Sequence, residues 1–292
     1  MRRGALGLAL LLGGCFHRAP PGPVPQAGYV VGAPYEAGGV WRYPREDFGY
    51  AGTGLAVVER RGAGLTADGE RYDAEAMAAA HPTLQLPAVV RVTDLDSGRE
   101  VRVRVNDRGP AAAGRLIAVT PGAARVLGMG EVARVRLAID EGASEALRDR
   151  LGGAPVVASG APVGVVRAES LAPPPGAVAA ARVRRASAMG VVASAPEMAA
   201  AAVPDRLPAV AIQGMAAAGG LWVEAGEFDG AQYAGMMRAR LVGVEARVER
   251  VGVGRGSRYR VRAGPFASVA AADAALDQAF RDGVSSARIV AE

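Results

Sequence analysis

A long stretch without hydrophobic periodicity, residues 141–214, divides this chain into two parts. It is rich in Ala, Ser and Pro, with three consecutive prolines at 173–175. Such a composition buries too little apolar surface to offset the entropy of folding, so we predict a disordered linker. In a chain of 292 residues, the parts on either side are long enough for two small domains and not for one large enzyme.

The part before the linker, residues 29–140, predicts a small, mostly β domain. Apolar and polar residues alternate at 89–93 and 100–105, with turn-forming Asp, Ser and Gly between them, which predicts a hairpin. The alternation returns at 133–139, and the spacing at 121–127 predicts one short helix.

The part after the linker, residues 215–292, predicts a ferredoxin-like α+β domain because strands and helices follow in the order βαββαβ. Ser268 is a suitable N-cap for the second helix. The predicted strands are 221–225, 244–251, 257–263 and 288–290, and the predicted helices are 230–241 and 268–280.

The N-terminus predicts an export signal. Two arginines precede an apolar run, Ala5 to Leu12, which is far shorter than the ~20 residues that span a bilayer. Leu12, two glycines and Cys15 then resemble a lipobox, which implies cleavage of residues 1–14 and lipidation of Cys15. An ordinary secretory signal with an incidental cysteine is the alternative.

After the cysteine, the Pro-rich residues 15–28 predict an extended spacer. Phe16 follows Cys15 where an aspartate would otherwise stand, a pattern similar to that of lipoproteins sorted to the outer membrane. We therefore expect a lipid anchor in the cell envelope, on the outer membrane and facing the periplasm.

Composition argues against several classes of partner. The formal net charge is +5, and no basic stripe is interleaved with aromatic residues, so we expect no nucleic acid partner. The chain has one cysteine, Cys15, and the first domain has one histidine, His81. These are too few ligands for the usual metal sites. No Gly-rich phosphate loop follows a strand, so we predict no nucleotide cofactor.

Three blocks of the first domain, residues 69–73, 79–84 and 105–110, resemble signature blocks of the rare lipoprotein A family. Residues 43–48 and 53–56 resemble its entry segment. The resemblance implies a six-stranded double-psi β-barrel. It also implies a lytic transglycosylase, because some members cut peptidoglycan glycan strands that have lost their stem peptides.

Two strands of the second domain, residues 222–228 and 259–266, resemble those of a sporulation-related repeat (SPOR) domain. Such domains bind denuded glycan at the division septum, so the resemblance implies a septal location, with divisome proteins as further partners. Glu224 stands where glutamine is common in these domains. The glycan-binding residues implied by the resemblance are Trp222, Glu224, Phe228, Tyr259 and Arg260.

The implied reaction protonates the oxygen between N-acetylmuramic acid and N-acetylglucosamine, and the muramic 6-hydroxyl attacks C1 to leave a 1,6-anhydro end. One group that serves first as acid and then as base suffices, provided that its pKa is raised. The resemblance implies Asp107 for this role, with His81 and Glu70 tuning or positioning it. It also implies substrate contacts from Tyr72, Asp73, Asn106 and Arg108.

Two departures from the family bear on activity. Residues 57–60 replace an aromatic Ser-Trp-Tyr-Gly block, and Ala118 replaces an aspartate. They leave open a non-catalytic peptidoglycan-binding lipoprotein that acts at the septum, with Asp107 in an ordinary turn and His81 as a packing residue. A third alternative, expansin-like wall loosening, is disfavoured by Ala118, and the enzyme remains the favoured interpretation.

Overall fold

The computed structural model of the protein describes residues 24–152, 205–217, 219–252 and 254–292, without the side chain of residue 255. The predicted signal, Cys15 and most of the predicted linker lie outside the described residues.

The first domain consists of a short hairpin followed by a closed barrel. The hairpin pairs β1 (Tyr35–Ala37) with β2 (Val40–Arg42). The barrel strands are β3 (Ala51–Val58), β4 (Ala78–Ala80), β5 (Ala88–Asp94), β6 (Arg99–Asp107), β7 (Arg115–Val119) and β8 (Val132–Ile139). Their order is β4-β7-β3-β8-β5-β6, and β6 also pairs with β4, which closes the ring. The predicted six-stranded double-psi β-barrel and its β5–β6 hairpin are confirmed.

Small branched side chains fill the barrel, as the alternation in the sequence predicts. Val101, Val103 and Val105 of β6 are at most 1% exposed. Each such side chain contributes about 1.5–3 kcal/mol when it is removed from water. The two polar residues that end β6, Asn106 and Asp107, are also buried, and they therefore need partners.

The predicted short helix is α1 (Pro121–Leu127), and its ends have clear local causes. Thr120 caps the start, since its hydroxyl accepts a hydrogen bond from the backbone of Ala123 (3.3 Å). Gly128 ends the helix in the left-handed region (φ +78°), which favours glycine.

The predicted linker range differs from the structure at its start. Residues 141–150 form helix α2 (Glu141–Arg150), capped by Asp140. Leu147 is fully buried against the barrel core, and the hydroxyl of Ser144 donates to the carbonyl oxygen of Val89 (3.2 Å). The sequence gives little sign of this helix because only two of its residues, Ser144 and Leu147, are buried.

The predicted range also differs at its end, where strand β9 (Ala211–Gln213) pairs with the start of β6. All three residues of β9 are exposed, so the strand carries no alternating pattern. It forms because the start of β6 has unpaired backbone groups at its outer edge. The sequence of β9 gives no sign of these distant partners. Leu207, just before it, packs into the barrel core.

The second domain confirms the predicted order βαββαβ. Its elements are β10 (Leu221–Phe228), α3 (Ala231–Arg240), β11 (Ala246–Val251), β12 (Arg258–Phe266), α4 (Val269–Arg281) and β13 (Arg288–Ala291). The strands form an antiparallel sheet in the order β11-β12-β10-β13. Both helices cover one face of it, and the hydroxyl of Ser268 caps α4 as predicted.

The two domains contact each other through one face of the barrel. Arg115 of β7 forms a two-point ion pair with Asp273 of α4 (2.6 and 2.8 Å). Leu55 of β3, which is fully buried, packs with the apolar core that contains Leu276 and Ile289. A polar and an apolar contact thus join the barrel to the second domain.

Candidate functional site

Asp107 lies at the end of β6, and three donors hold its side chain, which is 9% exposed. Its Oδ1 accepts hydrogen bonds from the backbone N–H groups of Ala67 (2.9 Å) and Arg108 (2.8 Å). Its Oδ2 is paired with the guanidinium of Arg61. Charged and oriented donors of this kind form strong hydrogen bonds and hold the carboxylate in one orientation.

The segment after β3 supplies the arginine. Arg61 donates to the carbonyl oxygen of Leu65 (3.0 Å), and its guanidinium carbon lies 5.2 Å from the centre of the Tyr72 ring. The segment therefore lies beside Asp107, in the part of the sequence where the family's aromatic block is missing. The segment lacks the aromatic residues expected there, but it contributes Arg61 to the surroundings of Asp107.

Glu59, in the same segment, is a further site residue that the sequence analysis does not identify. Its side chain is half-buried, and burial raises its pKa to about 7. The negative charge of Asp107 acts in the same direction, and the positive charge of Arg61 opposes it. The available sequence signal is a run of three charged residues, Glu59, Arg60 and Arg61, directly after a partly buried strand.

Glu70 is not joined to Asp107 but to two other residues of β6. Its carboxylate pairs with Arg104 (2.5 Å) and accepts a hydrogen bond from the side-chain amide of Asn106 (2.7 Å). Arg104 is 4% exposed and Asn106 is 7% exposed. Glu70 therefore satisfies two polar groups that β6 would otherwise bury without partners.

The turn that presents Glu70 is held by Asp68. Asp68 accepts hydrogen bonds from the hydroxyl of Thr66 (2.7 Å) and from the backbone N–H of Glu70 (3.1 Å). Gly69 between them has a φ of +89°, where other residues are strained. Asp68 is 3% exposed, and burial raises its pKa to about 6. Asp68 cannot be recognised from the sequence, since a turn-forming aspartate is common.

His81 is buried as a neutral imidazole. Its Nδ1 accepts hydrogen bonds from the backbone N–H groups of Thr83 (3.2 Å) and Leu84 (3.1 Å), so its proton lies on Nε2. Burial lowers its pKa to about 3, and the ring of Tyr50 packs edge-on at 5.0 Å. The backbone N–H of His81 donates to the carbonyl oxygen of Asp107 (3.0 Å), whereas no hydrogen bond joins their side chains among the described residues.

The other predicted barrel contacts fall into two groups. The guanidinium of Arg108 donates to the carbonyl oxygens of Leu84 and Val31 (both 2.5 Å), so it holds the N-terminal segment and is not free for substrate. Tyr72 and Asp73 are more accessible and line a pocket of about 210 Å³ with Glu70, Asn106, Arg104 and Arg206.

In the second domain, the ring of Trp222 contacts two arginines, Arg247 of β11 and Arg262 of β12. The guanidinium carbons of Arg247 and Arg262 are 4.6 Å and 4.0 Å from its ring. Cation–π contacts of this kind hold the indole flat on the sheet. Phe228 and Tyr259 are paired across β10 and β12 and pack against the apolar core, so part of each ring is structural.

Glu224 is 4% exposed and is neutralised by its neighbours. Arg288 (2.5 Å) and Arg260 (3.3 Å) both form ion pairs with its carboxylate. Arg260 also contacts Glu227 (2.7 Å) and Glu292 (2.8 Å). The carboxylate that replaces the usual glutamine is therefore compensated within the sheet.

A cleft of about 470 Å³ lies between the barrel and the second domain. The barrel side includes His81, Tyr50 and Arg136, and the other side includes Glu224, Arg260 and Arg288. The cleft therefore brings one predicted catalytic residue near two predicted glycan-binding residues.

None of the helices in the described ranges has the length and apolar character needed to cross a membrane.

Comparison with known proteins covers both domains. A family described as "Lytic transglycolase" matches residues 54–139, and the SPOR domain family matches residues 217–289. The endolytic peptidoglycan transglycosylase RlpA of Pseudomonas aeruginosa is 44% identical over 112 residues, which cover 37% of this chain and 33% of the relative. RlpA of Neisseria meningitidis is 54% identical over 63 residues, which cover 22% of this chain and 26% of the relative.

Among solved structures, the RlpA SPOR domain from Pseudomonas aeruginosa aligns with 24% of this chain and 97% of its own length, at 22% identity and a TM-score of 0.22. The chain spans about a third or less of the length of these curated relatives.

Proposed function

Since residues 54–139 match the lytic transglycolase family and residues 217–289 match the SPOR domain family, we propose that the protein is a lytic transglycosylase of peptidoglycan. Its substrate is the glycan strand without stem peptides, and its products end in 1,6-anhydro-N-acetylmuramic acid. The reaction breaks the bond between N-acetylmuramic acid and N-acetylglucosamine without water.

The observation that carries this proposal is the environment of Asp107. The carboxylate ends a barrel strand, is almost buried, and is oriented by two backbone N–H groups and by Arg61. A proton-transfer group needs a fixed position and restricted access to water. We place the scissile bond beside Asp107 and Tyr72, where a sugar ring can pack on the exposed part of the tyrosine.

His81 and Glu70 act as positioning residues in this proposal. His81 joins the start of its loop to the backbone of Asp107 and is held neutral by burial. Glu70 forms an ion pair with Arg104 and accepts a hydrogen bond from Asn106, the residue before Asp107. Both therefore fix the end of β6, and neither has to exchange a proton.

The second domain holds the glycan strand. The sheet face around Trp222 carries a flat aromatic ring flanked by arginines, which suits sugar rings and the carboxylates of muramic acid. Glu224 and Arg260 of the same domain line the interdomain cleft, opposite His81 of the barrel.

We further propose that Cys15 carries a lipid anchor, on the outer membrane and facing the periplasm, and that the protein is concentrated at the division septum with divisome proteins. The lipobox-like residues before Cys15 support the anchor, and the SPOR domain supports the septum. Palmitate labelling of the full chain and of a Cys15→Ala variant tests the anchor, since the variant should lose the label.

The second candidate function is a peptidoglycan-binding lipoprotein without catalysis. Ala118 favours it, because an aspartate is usual there in the family. The ion pair between Asp107 and Arg61 also favours this second candidate, because a substrate would have to compete with Arg61 for the carboxylate.

The test uses the chain from Phe16 onward, incubated with denuded glycan strands, with mass spectrometry of the products. We expect 1,6-anhydro ends from the wild type and none from Asp107→Asn. Asp149→Asn is the matched control, since Asp149 is 70% exposed on α2, and it should keep full activity. Glycan binding without anhydro products in the wild type would establish the second candidate.

A further inference from the structure

Glu59 directly follows β3 and stands two residues before Arg61, the ion-pair partner of Asp107. Its backbone N–H donates to the carbonyl oxygen of Val119 (2.7 Å), at the end of β7. Val119 is paired with Ala79 of β4, and the next residue, Ala80, is paired with Asp107. The residue after β3 is thus linked through β7 and β4 to the end of β6.

Arg61 and Tyr72 connect the carboxylates of Glu59 and Asp107. Arg61, two residues after Glu59, pairs with Asp107 and stacks on Tyr72. The charges of Glu59, Arg61 and Asp107 all act on the hydroxyl of Tyr72. Two carboxylates, a guanidinium and a phenol therefore face one small area, the place assigned above to the scissile bond.

The two carboxylates have opposite surroundings. Three donors engage Asp107, whereas the carboxylate of Glu59 has no hydrogen bond or ion pair with any described residue. Arg60, which lies between Glu59 and Arg61, is turned to Glu131 instead (2.5 Å). The two carboxyl groups thus differ in their surroundings, as the two members of an acid and base pair typically do.

We propose that Glu59 is a second catalytic carboxyl group, which acts as the general acid while Asp107 acts as the base; this inference rests on the proposed transglycosylase function. The proton of Glu59 passes to the glycosidic oxygen as its bond to C1 breaks. The muramic 6-hydroxyl oxygen forms the new bond to C1, and its proton passes to Asp107. Solvent then returns one proton to Glu59 and removes one from Asp107, so the cycle balances.

Asp68, the other carboxyl group whose pKa is raised, does not compete for this role. It is 3% exposed and its Oδ1 is engaged by Thr66 and Glu70 inside the turn. Glu59 is more accessible, and burial together with Asp107 raises its pKa to about 7. A carboxyl group of that kind is about half protonated at pH 7, which suits a general acid near neutral pH.

The first experiment measures anhydro-end formation against pH for the wild type, Glu59→Gln and Glu131→Gln, each in the chain from Phe16 onward. We expect Glu59→Gln to lower kcat about 10²- to 10⁴-fold with little change in KM. Glu131→Gln is the control, since Glu131 is 72% exposed, and it should match the wild type. The wild-type rate should fall as pH rises through about 7, because Glu59 then loses its proton.

The second experiment needs no activity and follows the Glu59 carboxyl carbon by NMR in the wild type and in Asp107→Asn. We expect titration near 7 in the wild type and a lower midpoint in the variant, because the charge of Asp107 is removed. This measurement also stands if Glu59→Gln does not fold.

A Glu59→Gln variant with wild-type rate and an unchanged pH profile overturns the inference while the transglycosylase function stands. Titration of Glu59 near its ordinary value of 4.5 overturns it as well. A wild type that binds glycan but forms no anhydro ends overturns both proposals, and the two failures are therefore distinguishable.

Discussion

Replacing Glu70 with glutamine should destabilise the barrel, because it leaves Arg104 as a buried charge without its partner. The side chain of Arg104 is 5% exposed and its Nε and Nη1 atoms already lack partners, so Glu70 at 2.5 Å is its main compensation. Removing one partner of a buried ion pair costs about 3–5 kcal/mol. Glu70 is itself 22% exposed, which reduces the expected loss to about 2–4 kcal/mol.

Urea unfolding followed by circular dichroism measures this loss, and hydrogen exchange of β4 and β6 assigns it to the barrel. With a slope of about 2 kcal/mol per molar urea, the midpoint should fall by about 1–2 M. The double variant Glu70→Gln, Arg104→Gln should recover most of the loss, since the uncompensated charge is gone.

The reasoning would be refuted by a Glu70→Gln midpoint equal to that of the wild type. It would also be refuted by a double variant whose loss equals the sum of the two single losses. Either result would show that Glu70 does not compensate a buried charge on Arg104.

Three further predictions follow from buried groups. His81 should stay a neutral imidazole with its proton on Nε2 down to about pH 4, and nitrogen-15 NMR that shows titration near 6.5 would contradict this. For Asp68, burial raises the folded pKa to about 6, so between about pH 4 and 6 the folded state binds more protons and stability falls as pH rises. Asp68→Asn should remove this slope in urea midpoints taken at pH 4 and 7, and an unchanged slope would refute the assignment. Leu147→Ala should cost about 2–4 kcal/mol by calorimetry, whereas the exposed neighbour Asp149→Ala should cost little; equal effects would show that α2 is not packed on the barrel.

The candidate site combines residues from a block that resembles the family with residues from a segment that differs from it. Asp107 and its backbone donors are in the block that resembles the family. Arg61 and Glu59 are in the segment that departs from it. The departure therefore changes the electrostatic surroundings of Asp107 and does not merely remove aromatic contacts. Activity measured on Glu59 and Arg61 variants will report on that change.

The sequence alone determined the elements whose causes are local. Alternating valines and a turn specify the β5–β6 hairpin. A Thr-Pro start and a glycine end specify α1, and Ser268 specifies the start of α4. These signals depend on residues close together in the chain, where spacing is enough to predict structure. The export signal and Cys15 also rest on the sequence alone, since they lie outside the described residues.

Only the tertiary structure decided which polar groups meet. Arg61 and Asp107 are 46 positions apart, and Glu224 and Arg288 are 64 apart. Strand β9 forms because a distant strand edge needs partners, and Leu147 is buried because a distant core accepts it. The protonation of His81 and Glu59 likewise follows from burial and neighbouring charge, which depend on folding and not on the identity of the residue.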